Sequence, residues 1–116
     1  MKKTLIMTAL MLCAHTAFAG FFTGNDLKKW ADAYNRIAQG TGAGNDNRWA
    51  SYFQGYVIGV ADASEGDLIC VPTGTSTAQL TAMVVKFLND HPEAWGKSAS
   101  ILVMYSLVPD FPCNKK

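Results

Sequence analysis

A few groups of residues in this 116-residue chain have the type and spacing for chemistry: the cysteines Cys13, Cys70 and Cys113, the histidine His91, the carboxylates Asp62, Glu65 and Asp67, and the glycine-rich run from Gly40 to Asn47. Each needs partners, and the sequence supplies few of them. A serine or cysteine nucleophile needs a neighbouring base, and His91 stands beside Pro92 in a turn-like stretch, where it reads as a turn residue. No second ligand lies at a zinc-like spacing from it. The three carboxylates can in principle do acid-base work or hold a calcium ion, but their spacing matches no calcium loop, and a solvated, partly capping acidic turn is the simpler reading. The glycine-rich run follows no strand and lacks the dinucleotide spacing, so it reads as a flexible connection. These residues predict a protein that is not an enzyme and carries no metal and no cofactor.

The first nineteen residues set the compartment. Lys2 and Lys3 precede an apolar run from Leu5 to Ala14, which ends at the small-residue signal Ala17-Phe18-Ala19. That order is a secretory signal peptide, and a run of about ten apolar residues is too short to span a bilayer as a helix. Cleavage is expected after Ala19, giving a periplasmic mature chain, 20–116, with no membrane association. Leu12 before Cys13 is not the small residue that a lipid-modification site requires. The mature chain is the size of one domain. Its eight basic residues face nine acidic ones, a net charge of −1 that gives no bulk attraction for nucleic acid or an anionic membrane.

Signal removal also changes the cysteine count. Cys13 leaves, and Cys70 and Cys113 remain as a pair in an oxidising compartment, where they are expected to form one disulfide.

The elements that hold these residues are helical. Leu27, Trp30, Ala31, Tyr34, Ile37 and Ala38 step by three and four behind the capping candidates Thr23, Asn25 and Asp26, so a first helix should run to a stop at Gly40. A second is expected from Arg48 to Ser64, with Trp49, Phe53, Tyr56, Val57 and Val60 inward and an end at Gly66. Gly55 and Gly59, one turn apart on it, each cost about 1 kcal/mol against Ala, which predicts close approach of another helix. Asp67 to Pro72 reads as a short extended segment drawn inward by the disulfide. Ser76-Thr77-Ala78-Gln79 has the form of a capping box and opens a third helix carrying Leu80, Met83, Val84, Phe87 and Leu88, which should end near Asp90 ahead of Pro92. A fourth, from Ser98 to Val108, is apolar nearly all round and is expected at the centre. The fold class is therefore all-α, a small bundle of about four helices with one disulfide.

Contact residues stand out more than catalytic ones. Trp95 lies in the polar turn 89–97 with no helix face to bury it, and Trp is a common anchor of protein interfaces. The alternative is that it folds back over the ends of the third and fourth helices. His91, Glu93, Trp95 and Lys97, with Asn45, Asp46 and Asn47 from the connection, are the candidate partner-binding residues.

The motifs Gly55-Tyr56-Val57-Ile58-Gly59-Val60-Ala61-Asp62, Cys70-Val71-Pro72, His91-Pro92-Glu93 and Phe111-Pro112-Cys113, in that order behind Phe22-Thr23-Gly24-Asn25-Asp26-Leu27, resemble the Tai/Rap immunity family of type VI secretion over nearly the whole mature chain. The resemblance implies a periplasmic helical protein, in many members a homodimer, that binds a cognate secreted peptidoglycan amidase effector and inhibits it by blocking its active-site groove. Family members often carry a second cysteine pair, and the matching positions here are Trp30 and Phe53. An aromatic contact between the first two helices would stand in for that disulfide. The rival reading is a small periplasmic stress-response chaperone that exposes client-binding surfaces on acidification.

Overall fold

The computed structural model describes residues 20–114; the expected signal peptide, 1–19, lies outside the described residues. The chain forms α1 (Gly24–Ala38), α2 (Asp46–Ser64), α3 (Thr77–Asp90), a short 3-10 turn (Pro92–Ala94) and α4 (Ala99–Leu107). No named strand occurs among the described residues, and none of their helices is long and apolar enough to cross a membrane. Cys70 and Cys113 are joined by a disulfide.

Local chemistry sets most of the helix ends. At the start of α1 the Asp26 carboxylate accepts from the Thr23 backbone N–H and from its hydroxyl, at 2.9 and 3.1 Å. At the start of α3 the Ser76 hydroxyl accepts from the Gln79 N–H, and the Gln79 side chain accepts from the Ser76 N–H at 2.7 Å, the reciprocal box that the sequence announces. Gly40 and Gly66 stand just past α1 and α2 at φ of 73° and 79°, in the left-handed region that favours glycine.

The core joins Leu27, Trp30 and Ala31 of α1, Phe53, Val57 and Ala61 of α2, Leu80, Val84 and Leu88 of α3, and Leu102, Val103 and Leu107 of α4. Trp30 and Phe53 are both buried in it. The ring contacts of Trp30 run to Tyr52 and Tyr56, and that of Phe53 to Tyr34. The α1–α2 seam is therefore aromatic, through neighbours of the two positions. Of the segment after α2 only Ile69 is fully inward, bridged to Pro112, while Leu68 is 55% exposed.

Gly24 opens α1 against the end of the 91–97 loop. A Cβ there would come within 2.7 Å of the Trp95 backbone and meet the Leu102 side chain. Gly24→Ala should therefore lower the melting temperature despite the better helix propensity of Ala, and an unchanged value would show that the junction yields easily.

Three expectations are revised. The connection between α1 and α2 is a hydrogen-bonded loop. Gly40 N–H donates to Ile37 O and Thr41 N–H to Arg36 O, and the Asp46 carboxylate accepts from Ala43 N–H and from two nitrogens of Arg36, at 2.8 and 2.7 Å. Anchored this way, α2 starts at Asp46 rather than Arg48. Gly55 and Gly59 face outward, and an added Cβ at either would meet nothing within 4 Å, so no helix among the described residues approaches them. Finally, α4 buries one face only. Ala99, Leu102, Val103 and Leu107 are inside, but Tyr105 is 54% exposed, and Ile101, Met104 and Tyr105 line an open groove with Val60 and Leu68.

The Arg36 guanidinium and the Ala43 N–H hold the Asp46 carboxyl down at about 2, below its ordinary 3.8. A carboxyl with a lowered folded-state pKa contributes stability that is complete above the unfolded value and is lost as pH falls through the folded one. The clamp should therefore weaken between about pH 4 and about pH 2. Arg36→Gln should flatten the loss of stability across that window in acid titrations monitored by circular dichroism. An unchanged slope would show that other carboxylates dominate.

Candidate partner-binding surface

The 91–97 loop is tied down by hydrogen bonds. Asn25 N–H donates to Trp95 O and Gly24 N–H to Lys97 O, at 2.9 and 2.8 Å, and Ala94 and Lys97 N–H groups close turns on His91 and Ala94 carbonyls. The Trp95 indole N–H donates to Leu88 O at 2.9 Å, and Lys28 Nζ lies 5.2 Å from the centre of the ring. Trp95 thus folds back onto the end of α3, the alternative of the two sequence readings, and is half-buried. Trp95→Ala should cost about 3 kcal/mol of stability in thermal denaturation. A loss within a few tenths of a kcal/mol would return Trp95 to the role of a free contact residue.

The polar side chains of the same loop point out. His91, Glu93 and Lys97 are exposed, and His91 Nδ1 stands 3.0 Å from Glu93 Oε1. The Glu93 carboxyl is held below its ordinary value by its own backbone N–H and then by the His91 ring. The His91 ring packs on Phe87, centres 4.5 Å apart. Backbone bonds to the start of α1 and the indole bond to α3 restrain the loop, and such restraint reduces the entropy a loop would lose in a contact.

Asn45 and Asn47 are exposed, whereas Asp46 between them is committed to Arg36 and Ala43. These residues lie by the last turn of α1, and the 91–97 loop lies by its first. A 15-residue helix spans about 22 Å, so the structure separates the two sets of candidates to opposite ends of α1.

The carboxylates near the end of α2 do not assemble a site. Glu65 accepts from the Val71 N–H at 3.2 Å, which is a structural use. No group of three or more metal-ligating residues gathers among the described residues.

Between the two ends of α1 lies a feature that the sequence reading missed. Phe22, Trp30, Trp49, Tyr52 and Tyr56, with Ser51 and Gly55, line an open groove of about 600 Å³. Its rings are in contact, Phe22 on Trp30 at 4.9 Å and Trp49 on Tyr52 at 5.5 Å, and Lys29 Nζ sits 4.5 Å from the Trp49 ring. The available signal was Tyr52, an aromatic off the predicted inward stripe.

A family model described as Rap1a immunity proteins matches residues 23–113, from the cap of α1 to the second half-cystine. The chain belongs to the Rap1a immunity protein family. It is thus an immunity protein for a type VI effector, and the family points to a non-enzymatic inhibitor that is typically exported. The match spans all four helices and the disulfide, so the immunity protein's fold and its family cover the same residues. No curated protein matches the sequence.

Proposed function

We propose that the immunity protein stands in the periplasm after loss of its signal peptide and inhibits a cognate cell-wall-degrading effector, a peptidoglycan amidase, by blocking the active-site groove. The observation that carries this reading is the 91–97 loop. It is a hydrogen-bonded loop packed against the start of α1, and it leaves His91, Glu93 and Lys97 exposed to solvent. A cleft that holds a polymer chain is open and elongated, and a loop whose backbone is already tied by hydrogen bonds has less ordering to lose on entering it. Blocking needs no chemistry from the loop.

The test is in cells. Deleting the gene should sensitise a strain to neighbours that deliver the effector, and restoring the exported chain should restore survival. A copy without residues 2–19 should fail to protect. Equal protection by that copy would contradict a periplasmic site of action.

A further inference from the structure

The aromatic groove differs from the hollow between α2 and α4 in what lines it. Phe22, Trp30, Trp49, Tyr52 and Tyr56 wall it with only Ser51 and Gly55 besides, whereas Val60, Leu68, Ile101 and Met104 dominate the other. An aliphatic hollow suits a wholly apolar occupant. Rings that carry hydroxyls suit a ligand that is apolar on one side and polar at its edges. Phe22 and Tyr52 are 42% and 52% exposed, and from Trp49 to Ala61 α2 has no Asp, Glu, Lys, Arg or His. Surface helices ordinarily carry charge on the side away from the core, so this side of α2 sets uncharged rings against solvent.

Positive charge gathers at one end of the groove. Lys29 Nζ lies 4.5 Å from the centre of the Trp49 ring. Arg48 stands three and four residues before Ser51 and Tyr52, a spacing that puts it on their face of the helix. Both cations are exposed, and neither is in a salt bridge with another described residue. The acids nearest in sequence are committed elsewhere, Asp26 to the Thr23 cap, Asp32 to Lys28 and Asp46 to Arg36. A mature chain of net charge −1 thus keeps two cations without acidic partners beside its ring-lined groove. We infer that the groove binds an anionic glycan, a peptidoglycan strand of the cell wall, with sugar rings against Trp49 and Tyr52 and a strand carboxylate beside Lys29 and Arg48.

The C–H face of a sugar ring is apolar and packs on an aromatic face, while its hydroxyl and acetamido groups stay at the rim, within reach of phenol hydroxyls and water. The groove volume, about 600 Å³, falls within the roughly 300–1,000 Å³ of small-ligand sites, and its open side admits a polymer laterally. Adjacent rings are tilted by 57–84° from one another, so no adjacent pair offers parallel faces to sandwich a flat base. Single-stranded nucleic acid also uses rings and cations, but it follows a basic groove along its phosphates, and two cations on a chain of net negative charge do not make one. The inference rests on the periplasmic placement proposed above and not on inhibition. A chain that holds the wall but blocks no amidase would keep this site and overturn that reading, and a chain that inhibits but ignores the wall would do the reverse.

The experiment is co-sedimentation of the mature chain with purified peptidoglycan sacculi at chain concentrations up to about 100 µM, a range that reports micromolar affinity. Saturable retention is expected. Tyr52→Ala should weaken it by about tenfold, as loss of a central aromatic contact does. The double variant K29Q/R48Q should weaken it by a similar factor and flatten its fall with added salt, because the charge contribution is the part that salt screens. All three side chains are exposed, so the melting temperatures of both variants should stay close to that of the wild type. A wild-type chain that stays in the supernatant, or retention that Tyr52→Ala leaves unchanged, would overturn the proposal. So would displacement of the chain from sacculi by an equal concentration of single-stranded oligonucleotide. Effector binding abolished by Tyr52→Ala with sacculus retention intact would overturn it as well, since the groove would then belong to the effector.

Discussion

Cys113→Ser is expected to lower the unfolding free energy of the mature chain by about 4 kcal/mol. The disulfide closes a 43-residue separation, and the chain-entropy account assigns about that much to a loop of this length, less any strain the native bond carries. For a domain of this size the melting temperature should fall by on the order of 15 °C. The folded state loses a fastening as well. Cys70 N–H donates to Phe111 O at 2.9 Å, and Ile69, fully buried, is bridged to Pro112. Once the tail is untied, that short ladder has only two strand-like partners to hold it over Ile69, too few to be stable alone. Wild-type protein melted in reductant should match the variant. Equal melting temperatures for variant and oxidised wild type would show that helix packing alone holds the tail.

The second large effect concerns the loop. The triple variant His91→Ala, Glu93→Ala, Lys97→Ala should weaken effector binding by about 100-fold or more, in the range seen when several contact residues of one interface are removed. Its melting temperature should change little, because these side chains are exposed and the loop is held through backbone groups and the Trp95 indole. Asn45→Ala with Asn47→Ala, at the other end of α1, should change binding far less. Calorimetric titration separates the cases. A strong effect of the asparagines with none from the loop would move the docking end to the α1–α2 loop.

Much of this architecture was legible before folding because it depends on neighbours in sequence. The caps at Thr23 and Ser76, the stop at Gly40 and the end of α3 before Pro92 are local hydrogen bonds and local backbone preferences. The Cys70–Cys113 pair followed from the compartment and the count. What was hidden depends on which face of an apolar helix turns inward. In α2 the periodicity favoured Trp49, Phe53, Tyr56, Val57 and Val60, but the fully buried line is Ala50, Phe53, Val57 and Ala61, rotated so that Trp49 and Tyr56 become walls of the groove. Tyr, Val and Gly surround that helix, so periodicity alone cannot fix its rotation. Helix α4 was ambiguous for the same reason. The Arg36–Asp46 clamp joins residues across a loop whose composition suggested slackness, and no local signal pairs them. Trp95 lacked a helix face in sequence and found its partner in a carbonyl seven residues earlier.

The central claim, inhibition of a cell-wall amidase, is tested most directly by titrating the purified mature chain into the cognate effector during digestion of isolated peptidoglycan. Cleavage should fall linearly and stop at a fixed small-integer stoichiometry, with the chain itself leaving peptidoglycan intact. Undiminished cleavage at a tenfold molar excess of the chain would contradict the account.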